Sequence, residues 1–189
     1  MEVIQTFVKG DKILKIVRDE DPINPIEWDT LGIFATKKTY CFSQTQLQSN
    51  NLVDAYNELK KQGAICILDL YKFEHGNFLL STKPFNNIWD SCQIGYIYTT
   101  QERCKLLGIN PKNTRKVKKI LDEEVKTMSC FCNGNVFGYV LFQKEKCNSG
   151  YTHLKDLASC SGFYTDDLTV VYKNIQNDLQ INLDEWKEI

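Results

Sequence analysis

The sequence predicts an α+β fold built on a mostly antiparallel sheet with about three to four helices. Apolar runs of strand length, rich in β-branched residues, alternate with turn signals that contain Gly, Asn and Pro. One long segment and several short ones carry an apolar stripe at helical spacing. With 189 residues, 42% of them hydrophobic, the chain can bury a sizeable core. We therefore expect a single domain over 1–189, with an acidic C-terminal helix at about 166–189 on its periphery.

The first third of the chain predicts, in order, a hairpin at 3–20, an irregular segment at 19–29, a strand at 31–42 and a helix at 50–63. Gly10 and Asp11 can supply the hairpin turn between two β-branched runs. Two prolines keep the next segment out of helical conformation. Asn50 or Asn51 can cap the helix, and Gly63 ends it.

The middle of the chain predicts a central strand at 64–71, a return strand at 78–82, a loop at 83–91 and a strand at 92–99. Two helices are predicted next, a short one at 100–108 and the longest at 110–132. The last part predicts a strand at 136–145, a loop at 146–155, a short strand or turn at 156–164 and a helix at 166–180. The nearly continuous apolar run at 64–71 is typical of a strand inside a sheet. The longest helix places Val117, Leu121 and Val125 on one stripe, with Ile120 and Met128 beside them.

Charge and hydropathy exclude several classes of protein. The net charge is −1, so the chain as a whole is not attracted to nucleic acid or to membranes. No apolar run approaches the roughly 20 residues of a membrane-spanning helix. The first residues lack the basic and apolar regions of a signal peptide. These features predict a cytoplasmic protein without a membrane partner.

Eight cysteines are scattered along the chain. The closest pair, Cys130 and Cys132, has C-x-C spacing, whereas structural zinc sites use C-x2-C or C-x2-4-H. Cys66 lies inside an apolar run and is predicted to pack as a small hydrophobic residue. In a reducing compartment, this pattern favours free structural thiols, and we expect neither a metal nor a cofactor.

A Trp-Asp-hydroxyl motif occurs twice, as Trp28-Asp29-Thr30 and as Trp89-Asp90-Ser91. One interpretation is structural: each tryptophan anchors a loop in the core, and each aspartate accepts backbone N–H bonds where the loop enters a strand. The alternative is that both aspartates converge to hold a divalent cation, for which the candidates are Asp19, Asp21, Asp29, Asp69 and Asp90. No regularly spaced set of oxygen ligands is present, which favours the structural interpretation.

Four segments in one order resemble a family of small phage, prophage and mobile-element proteins. These segments contain N-P-x-x-W-D near the start, Y-x-x-x-H-G followed by P-F-x-x-x-W-D-S in the middle, and G-x-V-x-G-Y and C-x-G-F-Y late, and they span 19–167. The resemblance implies no established enzymatic activity. It implies a protein that blocks a host defence system, such as an anti-CRISPR inhibitor of a nuclease, whose partner is a host defence protein or ribonucleoprotein complex.

Three functional hypotheses follow. The first is stoichiometric binding to a host defence component through exposed side chains, for which the candidates are Trp28, Asp29, His75, Trp89, Asp90 and Tyr164. The second is a small hydrolase or nucleotide-processing enzyme that uses His75 with Asp29, Asp69 or Asp90, or a pair of His75 with Cys66 or Cys92. The third is nucleic-acid binding by the basic helix face over Lys112–Lys126, where Lys112, Arg115, Lys116 and Lys119 are the candidates. The sequence does not indicate the oligomeric state.

Overall fold

The computed structural model describes residues 2–87, 89–146 and 151–189, which form ten strands and four α-helices in two mostly antiparallel sheets. This confirms the predicted α+β class. The chain groups into two compact units, Met1–Ile23 with Gly134–Ile189 and Asn24–Asn133. No helix among the described residues is both long enough and apolar enough to span a bilayer.

The first unit contains a five-stranded sheet in the order β10-β1-β2-β8-β9. Its elements are β1 (Val3–Lys9), β2 (Lys12–Arg18), β8 (Val136–Lys146), β9 (Thr152–Tyr164), α4 (Leu168–Leu179) and β10 (Lys187–Glu188). The β1–β2 hairpin is the predicted one, with Gly10 in the left-handed region at φ 62°. The predicted loop at 146–155 includes 147–150, which lie outside the described residues; β9 begins at Thr152, earlier than the predicted short strand.

The apolar core of the first unit lies between α4 and one face of this sheet. Val171 and Ile175 of α4 are fully buried, and they pack with Leu14 and Ile16 of β2 and Trp186 near the C-terminus. Asp167 caps α4, because its Oδ1 accepts the N–H of Thr169 at 2.9 Å. The residues of α4 therefore contribute directly to the core of this unit.

The second unit contains a five-stranded sheet in the order β4-β3-β7-β5-β6. Its elements are β3 (Ile33–Thr36), β4 (Thr45–Gln46), α1 (Leu52–Lys61), β5 (Ala64–His75), β6 (Asn77–Ser81), β7 (Ser91–Thr100), α2 (Gln101–Leu106) and α3 (Thr114–Cys132). Only the short β3–β4 pair is parallel among the pairings of the described strands. The central strand is β7, and β5 lies beside it.

Helices cover both faces of the second sheet. Because successive side chains of a strand point to opposite faces, Phe34 and Ile97 join the cluster that contains Leu121 of α3. The adjacent residues on the same strands, Ala35 and Tyr96, belong to a separate cluster with α1. The predicted stripe of α3 is confirmed: four of its five residues are buried, and Ile120 packs partly buried against the same cluster.

Helix α3 also protects the edge of this sheet. Ser129 Oγ accepts the backbone N–H of Leu80 at 2.9 Å, and Asn133 Oδ1 accepts that of Phe78 at 3.3 Å. These N–H groups of β6 would otherwise be unpaired donors at a sheet edge. One helix thus supplies both the apolar core and the polar partners of the neighbouring strand.

Candidate functional site

The two Trp-Asp motifs lie toward opposite ends of strand β7. In the antiparallel pairing of β3 with β7, Ile33 lies opposite Tyr98. The motif at 28–30 precedes Ile33, whereas the motif at 89–91 leads into the other end of β7, seven residues before Tyr98. At about 3.3 Å per residue, the two ends are roughly 23 Å apart. Asp29 and Asp90 therefore do not converge on one ion, and no group of metal-ligating side chains occurs in the described part of the chain.

The first motif is held by polar contacts from α2 and α3. Arg103 donates from Nε to the carbonyl of Thr30 at 2.7 Å and from Nη2 to its hydroxyl at 3.2 Å. The backbone N–H groups of Leu31 and Gly32 donate to the two carboxylate oxygens of Glu124, at 2.6 and 2.7 Å. Although Glu124 lies among charged residues in the sequence, its carboxylate turns inward and caps the loop.

Burial raises the pKa of Glu124, although the N–H groups of Leu31 and Gly32 and the charge of Arg103 oppose the rise. Trp28 at this corner is 39% exposed and lines a cavity of only about 40 Å³ with Pro25 and Glu124 among its walls. A space of this size is close to that of one or two water molecules. The loop that contains the first motif therefore has a structural role, and its cavity is too small for a substrate.

The second motif presents its tryptophan to solvent. Trp89 is 90% exposed, so the expectation that it anchors the loop in the core is wrong. The loop is instead organised by Asn87, whose Oδ1 accepts the N–H of Trp89 at 3.0 Å and whose Nδ2 donates to Asp90 Oδ2 at 2.8 Å. The Asx turn predicted at the aspartate is thus formed by Asn87, which bonds the backbone of Trp89 and the side chain of Asp90.

His75 lies beside this corner. Its Nδ1 is 3.6 Å from Asp90 Oδ2, and the carbonyl of Asp90 accepts the N–H of Glu74 at 2.9 Å. The ring of Phe73 is 6.5 Å from that of His75 and 5.6 Å from that of Phe85. We define the Trp89 surface as these five residues: Phe73, His75, Phe85, Trp89 and Asp90. Three of them were predicted from the sequence, and the two phenylalanines were not, because the contact of Phe85 with Phe73 joins a loop to a strand.

An open cleft of about 280 Å³ adjoins the corner and is lined by Lys72, Glu74, Trp89, Asp90, Ser91 and Cys92. Cys92 lies opposite Lys72 in the β5–β7 pairing, and Lys72 is an odd number of residues from His75. Since strand residues alternate between faces, Cys92 and His75 point to opposite sides of the sheet. Cys66 is buried nine residues away on the same strand. The predicted pairing of His75 with either cysteine is therefore wrong.

The remaining predicted residues lie elsewhere. Asp69 is six residues from His75 on β5, about 20 Å along the strand, and it accepts a hydrogen bond from Gln93 Nε2 at 3.0 Å. Tyr164 lies in the first unit, where its hydroxyl donates to the carbonyl of Ile23. Asp29 is exposed at the first corner. Of the residues proposed for catalysis, only His75 and Asp90 come together.

The basic candidates lie at the start of α3. Arg115, Lys116 and Lys119 are exposed on this helix, and Lys112 is exposed in the loop before it. They are separate from the Trp89 surface in sequence and lie on different elements.

Comparison of the chain with protein-family models, with curated proteins and with solved structures gives no significant match. The fold and the site define a coarse class, an α+β protein that presents an exposed tryptophan next to the His75–Asp90 pair. The resemblance to phage and mobile-element proteins stays a prediction.

Proposed function

We propose that this protein acts by stoichiometric binding to a protein partner through the Trp89 surface. The observation that supports the proposal best is the 90% exposure of Trp89, at a corner where Asn87 hydrogen-bonds the Trp89 backbone and the Asp90 carboxylate. Tryptophan dominates the energetics of many protein interfaces, and a side chain already held in place loses little entropy on binding. A corner that exposes a tryptophan side chain is therefore suited to insertion into a pocket of a partner.

The residues around the His75–Asp90 pair provide the other parts of an interface. Phe73 and Phe85 are partly buried and add apolar area. His75 and Asp90 add a donor and an acceptor that can fix the orientation of the partner. In keeping with the resemblance, the proposed partner is a host defence protein or ribonucleoprotein complex, and binding inhibits its nuclease.

The test is a titration of the purified nuclease of a host defence complex with this protein. We expect inhibition to be complete near one equivalent, and a Trp89→Ala variant to require at least about 30-fold more protein, since loss of a central tryptophan typically removes 2 kcal/mol or more of binding free energy. Leu106→Ala is the matched control, because Leu106 is 80% exposed in the same unit but away from this corner. Equal inhibition by wild type and Trp89→Ala would contradict the proposal.

A hydrolytic or nucleotide-processing activity is the second candidate, and the observation that favours it is the 3.6 Å approach of His75 to Asp90. A carboxylate next to a histidine can orient the imidazole as a general base. The discriminating variant is His75→Gln. It should abolish turnover if the histidine acts as a base, whereas stoichiometric inhibition should survive it with at most a modest loss of affinity.

A further inference from the structure

A second surface of the Asn24–Asn133 unit has a strong charge that the proposed function does not use. Between Gln101 and Lys119 the chain has seven basic residues and one acid, Glu102. Arg103 is engaged with Thr30, and the other six are exposed. We name these six the basic surface: Lys105, Lys112, Arg115, Lys116, Lys118 and Lys119.

These charges are not neutralised within the described part of the chain. No ion pair there involves any member of the basic surface. Lys126, further along α3, provides the contrast, because its Nζ is 3.0 Å from Asp122 Oδ2 and 3.0 Å from Glu123 Oε1. In α3, the lysine near the C-terminal end is thus paired with acids, whereas the basic residues near the N-terminal end are not paired within the described part of the chain.

The uncompensated charges also lie at the unfavourable end of the helix. Arg115 and Lys116 occupy the first turn of α3, where the helix dipole is positive and cations are destabilising. Helices α1 and α2 each have an acid in that turn, whereas α3 and α4 have none. Residues that destabilise the fold where they stand are typical of functional sites.

The composition of the surface indicates the kind of ligand. Residues 101–119 contain no Phe, Tyr or Trp, so they provide no platform on which single-stranded bases could stack. Leu106 is the one large apolar side chain exposed in this segment, which is too little for the core of a protein interface. Lysine and arginine without aromatic or apolar partners match the phosphates of a duplex, where the charge density is highest.

We propose that the basic surface binds the phosphate backbone of duplex nucleic acid without sequence preference. The side chains of Lys112, Arg115, Lys116 and Lys119 contact phosphates, and Asn110 and Thr114 beside them can donate further hydrogen bonds. This activity is independent of the Trp89 surface.

Fluorescence anisotropy with labelled 20-base-pair DNA and RNA duplexes of arbitrary sequence tests the proposal. If four phosphates are contacted, the affinity should fall roughly 100-fold between 50 and 200 mM salt, and a single strand of the same length should bind more weakly. Replacing Lys112, Arg115, Lys116 and Lys119 together by Gln should lower the affinity at least about tenfold and flatten the salt dependence. Lys126→Gln is the matched control and should bind within about twofold of wild type, as should Trp89→Ala.

A second variant separates loss of binding from loss of folding. Arg115→Glu with Lys116→Glu places acids in the first turn of α3, so it should raise the melting temperature while it abolishes duplex binding. Absence of duplex binding by wild type at 50 mM salt, or unchanged binding by the quadruple variant, overturns the proposal. Binding to polyglutamate but not to duplexes also overturns it, and would assign the surface to an acidic protein.

Discussion

Ile33 lies opposite Tyr98 in the antiparallel pairing of β3 with β7. This register sends the two Trp-Asp corners to opposite ends of the sheet, so they are two separate elements and do not form two halves of one site. Both corners begin a strand and in both a hydroxyl donates to a nearby carbonyl, Thr30 to Gly32 and Ser91 to Asn87. The repeated motif therefore has one local role in two places, and only the second corner exposes its tryptophan almost completely.

The first prediction concerns the independence of the two corners. Trp89→Ala should change the free energy of unfolding by less than about 0.5 kcal/mol, because the side chain is almost fully exposed. Trp28→Ala should destabilise the fold by about 1–2 kcal/mol, because this residue packs at the joint between the 3-10 turn at Pro25–Glu27 and α3. The double variant should show the sum of the two effects within about 0.5 kcal/mol in urea unfolding. Clear non-additivity would indicate that the corners are coupled.

The second prediction concerns the closeness of β3 and β7. A Cβ at Gly95 would lie 2.0 Å from the carbonyl oxygen of Ala35, so Gly95→Ala must separate the two strands. We expect a loss of about 3 kcal/mol or more in chemical unfolding, at the upper end for overpacked sites. Gly10→Ala is the control: a Cβ there meets no atom within 4 Å, and only the left-handed φ of 62° opposes it, at about 1 kcal/mol. A smaller loss at Gly95 than at Gly10 would contradict the pairing described here.

Local signals predicted much of the secondary structure because they act over a few residues. Asn51 caps α1 through Val53 N–H, and Gly63 follows at φ 92°. Thr100 caps α2, and the apolar stripe of α3 identified its buried face. Each of these features depends on neighbours within about four residues, which a single sequence shows directly.

The site depends on contacts that the sequence does not show. Glu124 has charged neighbours in sequence, and its role as a cap for Leu31 becomes visible only when α3 lies against the loop. Exposure of Trp89 could not be predicted either, since a large apolar residue near a strand usually packs inward. The association of His75 with Asp90 requires the β5–β7 register, which joins positions 15 residues apart.

The third prediction concerns the pH dependence caused by Glu124. Its folded-state pKa is raised by burial, so between the ordinary carboxyl value of about 4.3 and the raised value the folded chain binds the proton more tightly than the unfolded chain. The stabilisation that results from the raised pKa is therefore fully present below about pH 4.3, and it is lost as the pH rises through the pKa of the folded state. The unfolding free energy of wild type minus that of Glu124→Gln should fall across this window.

Urea unfolding at a series of pH values from 4 to 7 measures this difference. Glu123→Gln is the matched control for removing one charge from the helix, because that carboxylate is exposed and pairs with Lys126. A difference that rises with pH, in place of one that falls, would show that Glu124 is stabilised as the anion.

The fourth prediction concerns Cys41 and Cys132, whose Sγ atoms are 4.0 Å apart. Both are free thiols, Cys41 is exposed, and burial and the proximity of Cys41 raise the pKa of Cys132. Oxidised glutathione should react first at Cys41, where the thiolate attacks one sulfur and releases one molecule of reduced glutathione. Cys132 then loses its proton to solvent and attacks the Cys41 sulfur, which releases the second. The protein thus loses two electrons and glutathione disulfide gains them.

The resulting cross-link closes a loop between positions 91 residues apart, and it should stabilise the fold by about 2–4 kcal/mol, since strain from drawing the sulfurs to about 2.05 Å offsets part of the entropic gain. Intact mass should show loss of two hydrogens without a glutathione adduct, and a reductant should reverse the gain in melting temperature. The Cys132→Ser variant should instead keep glutathione on Cys41 and show no stabilisation. A persistent adduct on the wild-type protein would show that the two thiols do not approach closely enough to react.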